Sequence, residues 1–291
     1  MKSTSQHLIG INLGLLAIST SGVFGRTLTL APEVAIFWRC AFALVIMGIY
    51  LKVRGANLRI IAGDGRIIIL GGILMGIHWV TYFYSLSLAN VAIAILTLHT
   101  FPAMTTILEP LILKTKFRAY HLLLATLITV GIYIIAPSFD MSDGVFLAII
   151  FGLISALTYA LRNILTRKVI SRYDGSSMMF FQLCIMSLIT IPYLFTKSSA
   201  PLISTDWPLI LALAAVTTCL GHTLLVQHLK YYSAVTVSLM SSIIPIYGIL
   251  WPFIFLDEVP TLKTLIGGSL ILLSFLIEAI VSSKSKKLVE E

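Results

Sequence analysis

Between Met75 and Ser87 the chain reads MGIHWVTYFYSLS, placing His78, Trp79, Tyr82 and Tyr84 within seven residues of a long apolar run. A buried imidazole needs a partner for each ring nitrogen, and a buried phenol needs one for its hydroxyl. Neighbouring helices can supply those partners, or a bound molecule can. Trp79 and Tyr82 are three residues apart and share a helical face beside His78, a combination suited to stacking a flat or amphipathic molecule. Tyr84 lies near the outer end of the same run, where tyrosine is common at a membrane interface.

Few other polar side chains interrupt apolar runs. Arg39 is seven residues past Pro32, roughly 10 Å deep at 1.5 Å per residue. Its planar fork suits bidentate binding of a carboxylate; the alternative is a buried structural pair. His78 and His99 come out at similar depth, roughly 13–15 Å, on runs joined by a very short connection. They are expected to share a cavity wall or to bond one another, and imidazoles there can titrate near neutrality. Tyr159, Asn163, Gln182 and His222 are the candidates from the second half. Arg162, Gln227, His228 and Glu278 lie in the inner third, where a structural role is expected. No third ligand joins the two histidines, so no metal site and no cofactor is expected.

The elements that position these groups are set by composition. Of 291 residues, 58% are hydrophobic and 11% charged, and the mean hydropathy is +1.00. A soluble domain is about 25% charged, so most of this surface meets lipid. The net charge of +8 is spread along the chain with no basic, aromatic-interleaved patch, so nucleic acid is not an expected partner. The first apolar run lacks a small-residue cleavage signal and is expected to remain as a span. Cys40, Cys184 and Cys219 all fall in apolar runs and read as buried small hydrophobes.

Ten segments reach the roughly 20 residues a membrane crossing takes: 7–24, 32–52, 66–87, 90–113, 118–137, 144–166, 175–196, 207–229, 233–256 and 261–282. Pro32 and Pro208 are placed in first turns. With the N-terminus in the cytoplasm, 15 of the 20 Lys and Arg residues fall in inner loops or tails. The opposite loops collect Asp140, Asp143, Asp206, Asp257 and Glu258. Ten spans then put both termini inside.

The halves also repeat. Residues 90–113 align with 233–256, Pro102 with Pro245 and His78 with His222, at offsets of 143 to 144. An odd number of spans per copy inverts the second, giving repeats at 1–138 and 139–291 with a site expected between them. The matched prolines Pro102 and Pro245 are candidate hinges, because each removes a backbone donor mid-span. Gly71–Gly72 and Gly267–Gly268 are expected to let helices approach closely.

The stretches LAPEVAIFWR, YFYSLSLANVAIAIL and, above all, SAVTVSLMSSIIPIYGILWPFIFLDEVPTLKTLIGGSLILL carry a resemblance to the EamA-type branch of the drug/metabolite transporter superfamily, over roughly residues 8–280. That resemblance implies an all-α integral membrane protein of ten helices in two inverted five-helix repeats. It also implies movement of small metabolites, often export of amino acids or their relatives. Two departures stand out: the first copy lacks the glutamate after its fourth span, with Glu109 one turn earlier, and Gln182 or Leu183 stands where the first copy has Arg39.

The function expected is therefore secondary transport by alternating access, with Arg39, His78, Trp79, Tyr82, His99, Tyr159, Asn163, Gln182 and His222 around a central site. A small zwitterion or anion, exported, is the leading substrate class. Import or exchange of a larger flat metabolite such as a nucleoside or vitamin is the alternative. No nucleotide-binding loop is present, so ATP is not an expected partner. An intramembrane enzyme is disfavoured, since no His-x-x-x-His pair occurs and Glu109 and Glu278 are both near inner ends. The expected setting is a bacterial inner membrane, the expected partners lipid and a small-molecule substrate, and the expected state a monomer.

Overall fold

A computed structural model describes residues 4–114, 121–135, 143–195 and 203–290, and every regular element among them is helical. The N-terminal half contributes α1 (Thr4–Ser19), α2 (Ser21–Thr27), α3 (Pro32–Val53), α4 (Gly65–Leu88), α5 (Val91–Leu98), α6 (Phe101–Leu113) and α7 (His121–Ile135). The C-terminal half contributes α8 (Gly144–Val169), α9 (Gly175–Thr190), α10 (Ile203–Ala212), α11 (Thr223–His228), α12 (Ala234–Met240), α13 (Ile244–Phe255) and α14 (Leu262–Glu290). Among the described residues, eight helical stretches are long and apolar enough to cross a membrane. The other two anticipated segments appear as the shorter apolar helices Thr126–Ile135 and Leu262–Ser274.

Helix starts follow local chemistry. Asn90 accepts from the Ile93 N–H at 2.9 Å and Ser233 from the Thr236 N–H at 3.0 Å, so α5 and α12 open on equivalent side-chain caps. The same parallel holds at the far ends, where Lys114 and Asp257 adopt left-handed backbone at φ 56° and 53°. Between cap and end, both stretches are interrupted just before a proline. Pro102 and Pro245 offer no N–H to the carbonyl four residues back, and α5 stops at Leu98 while Ser241–Ile243 tightens to a 3-10 turn.

Other features were not anticipated. The first span is broken at Thr20, between α1 and α2. Pro208 lies inside α10 rather than in its first turn, because the helix already begins at Ile203. From Leu213 to His222 the helix is π-wound, and the hydroxyls of Thr217 and Thr218 both return to the Leu213 carbonyl, at 2.6 and 3.1 Å. Cys184 is exposed on the outer face, not buried.

Packing uses close approach rather than bulk hydrophobic contact, as expected where lipid is as apolar as leucine. A Cβ at Gly72 would stand 2.7 Å from the Ile185 Cβ, which brings α4 against α9, and Gly131 and Gly267 bring α7 against α14 backbone to backbone. The two halves interleave: α8 lies along α4, α5 and α6. Gly152 of α8 faces Thr97, and the Ser85 hydroxyl donates to the Ala148 carbonyl at 2.7 Å. Outward faces are apolar, with Val45, Ile49, Leu188 and Phe253 exposed.

Candidate functional site

A small cavity of about 30 Å³, lined by buried side chains, lies between the halves, walled by α1–α6 on one side and by α8, the π-wound segment and α13 on the other. Its volume admits a water or two. Seven of the nine anticipated residues line it: Arg39, His78, Trp79, Tyr82, His99, Tyr159 and His222. Asn163 and Gln182 do not.

Arg39 is 1% exposed, and its guanidinium carbon lies 3.6 Å above the Trp79 ring. Its Nε donates to the Thr218 Oγ1 and its Nη2 to the Thr217 Oγ1, each at 2.8 Å. The π-winding sets two successive hydroxyls beside one fork, both already pinned to Leu213. Among the described residues no carboxylate pairs with it: the arginine is held by two neutral acceptors and a π face.

From Trp79 a run of rings crosses the cavity wall. Trp79 is tilted against His222 at 5.2 Å, and Tyr159 meets His222 edge-on at 6.2 Å. His78 stacks on Tyr159 at 4.3 Å, and Phe101 meets Tyr159 at 4.8 Å and His99 at 5.5 Å. His78 and His222, matched in sequence, thus flank one tyrosine. His78 is fixed by Ser155, whose hydroxyl lies 2.7 Å from its Nδ1 and donates to the His78 carbonyl at 2.9 Å. His99 is tied through Nδ1 to the Ile95 carbonyl at 2.8 Å, so the two histidines each find a separate partner rather than one another. Three buried polar atoms on these rings have no partner among the described residues: Trp79 Nε1, His99 Nε2 and His222 Nδ1.

Asn163 and Gln182 belong to a second buried network, centred on Arg162. That arginine is 0% exposed, so it does not snorkel. Its Nε and Nη2 donate to the Gln182 Oε1 at 3.0 and 2.5 Å, and its Nη1 donates to the Asn163 Oδ1 at 2.9 Å. Gln182 donates onward to the Thr166 Oγ1 at 3.1 Å, and α4 comes close enough that a Cβ at Gly71 would lie 2.9 Å from its Nε2. Two permanent charges are therefore buried without an opposite charge bonded to either.

Sequence reasoning gave Arg162 a structural role without its partners, and it missed Ser155, Thr217 and Thr218. The hydroxyls gave little signal, because Ser and Thr in a span usually bond their own helix. Tyr84 donates to the Glu33 Oε2 at 2.8 Å and stacks on Phe151, away from the cavity. The Glu278 side chain lies outside the described residues.

A helical membrane bundle with a small buried cavity between interleaved halves, carrying a few convergent polar groups, is the build of a small-molecule carrier. The family model of EamA-like transporters matches residues 7–136 and again 146–278, and the chain belongs to this EamA-like transporter family. It is an integral, multi-pass membrane transporter and not an enzyme. The pseudopaline exporter CntI of Pseudomonas aeruginosa is 26% identical over 284 residues, covering 96% of this chain and 97% of that protein. An uncharacterized transporter of Archaeoglobus fulgidus is 24% identical over 271 residues, covering 93% of each. A solved crystal structure matches in fold with a TM-score of 0.73 at 15% identity, over 97% of this chain and 99% of its own.

Proposed function

We propose that this chain is a secondary exporter of a small metabolite bearing a carboxylate, working by alternating access around the Arg39 cavity. The observation that carries the reading is a small buried cavity between the halves, with a guanidinium that no described carboxylate pairs and three polar ring atoms without a partner among the described residues. An unpartnered buried polar group costs about 1–3 kcal/mol, and the simplest account is that a ligand or water satisfies these atoms for part of a cycle. A cavity too small for a metabolite is then the occluded, substrate-free form.

The wider reading is ten spans in two inverted repeats, 1–138 and 139–291, with both termini cytoplasmic in a bacterial inner membrane and the monomer as the unit. It is supported by the doubled family match and by the recurrence of caps, breaks and left-handed ends at a 143-residue spacing. Export is supported by the named exporter among the relatives. Pro102 and Pro245 are the hinges of this scheme. No nucleotide drives it.

A thermal-shift screen of purified protein against amino acids, nucleosides, vitamins and dipeptides tests the site. A carboxylate ligand is expected to stabilise wild type and not Arg39→Gln. A ligand that stabilises both equally would remove Arg39 from the site.

A further inference from the structure

The remaining buried carboxylates all tie one half to the other, and they do so at the two ends of the molecule. At one end Asp64, the N-cap of α4 and 3% exposed, receives the Arg172 Nη2 at 2.7 Å and the Tyr173 hydroxyl at 3.0 Å. At the other end Asp206, in the first turn of α10 and 1% exposed, receives the Thr29 hydroxyl at 2.6 Å and the Thr29 N–H at 3.2 Å. Asp64 and Asp206 are 142 residues apart; Thr29 and Tyr173 are 144 apart. Exchanging the halves therefore turns one contact into the other: each aspartate opens the third span of its half and grips the connection between the first two spans of the opposite half.

A second carboxylate backs each lock. Toward the Asp64 end, Glu109 near the end of α6 accepts from the Val235 and Ala234 N–H groups at the start of α12, at 2.9 and 3.4 Å. Toward the Asp206 end, Glu258 accepts from the Val91 N–H at the start of α5 at 2.9 Å and meets the Arg26 Nε at 3.3 Å. Burial, with the adjacent Asp64 carboxylate, holds the Tyr173 hydroxyl above its ordinary range, so it remains a neutral donor. All four contacts are made at once.

We propose that Asp64 and Asp206 are matched locks closing the two ends of the transport path, each backed by one glutamate, and that transport opens them in turn. This rests on the alternating-access reading above, with the locks as its added content. Each lock is built from bonds between halves that no lipid contact replaces. Opening an end means exposing its aspartate, which water then solvates.

The test uses full-length protein in which Cys40, Cys184 and Cys219 are replaced by alanine and Leu98→Cys, on the cavity wall, is the reporter. A membrane-impermeant maleimide is applied to right-side-out and to inside-out vesicles. Thr29→Val and Tyr173→Phe remove the two matched donors conservatively; Asp206→Ala and Asp64→Ala remove the acceptors. Loss of one net hydrogen bond shifts a two-state balance about fivefold. Thr29→Val and Asp206→Ala are expected to raise labelling from the Asp206 end by about that factor and lower it from the other, with Tyr173→Phe and Asp64→Ala doing the reverse. Labelling that moves the same way for both pairs, or for neither while wild type still reacts from each side, overturns the locks and leaves alternating access standing. A reporter that reacts from neither side in any variant refutes the central path and the locks together.

Discussion

At the scale of single residues, Arg39 decides most. A charge-assisted hydrogen bond contributes about 1.5–3 kcal/mol, so Arg39→Gln is expected to weaken a carboxylate ligand by about 10- to 100-fold, read by titration calorimetry. Arg39→Lys keeps the charge but cannot serve Thr217 and Thr218 together or lie flat on Trp79. It is therefore expected to lose about tenfold in affinity. Equal affinity in wild type and the lysine variant would remove the fork from the argument. That Arg39 faces inward was legible from its distance past Pro32 and the absence of a snorkelling route. Its actual partners were not, because two threonines separated from it by some 180 residues meet it only through the π-winding of their own helix. Arg162 was expected to be structural from its place in the inner third, but its partners Gln182 and Asn163 were not legible, because the sequence does not show that they converge on its guanidinium.

At the scale of elements, prolines and glycines were the readable signals. The breaks before Pro102 and Pro245 follow directly from a missing backbone donor. If they are hinges, the double variant Pro102→Ala with Pro245→Ala keeps ligand affinity and slows transport at least severalfold in vesicle efflux assays. Unchanged efflux would leave the breaks as mere packing features. Gly72 makes a firmer forecast. A leucine there meets the Ile185 side chain, and overpacking of this kind costs about 1–3 kcal/mol, so Gly72→Leu should melt several degrees lower in a fluorescence scan while Gly65→Leu, with open space around it, should not. The π-winding and the break at Thr20 left no comparable mark, since neither a proline nor a glycine pair lies at either place.

At the scale of the whole molecule, apolar segments, turn residues and the charge of the connections were enough to foresee a helical bundle in membrane. What they could not give was how the halves interleave. That interleaving has a consequence for how the protein is made. Ser155 satisfies His78 and the Ala148 carbonyl takes the Ser85 proton, so α8 completes polar groups belonging to α4, and its Gly152 leaves room for Thr97 of α5. Yet α8 leaves the ribosome only after all of α1–α7. The first half must therefore wait in lipid with imidazole and hydroxyl groups unpaired, which marks it for a holding insertase or for proteolysis. In a pulse-chase, residues 1–138 alone should decay quickly and persist when 139–291 is supplied as a separate chain. The nascent carrier is at its most vulnerable in the moments before its eighth helix arrives.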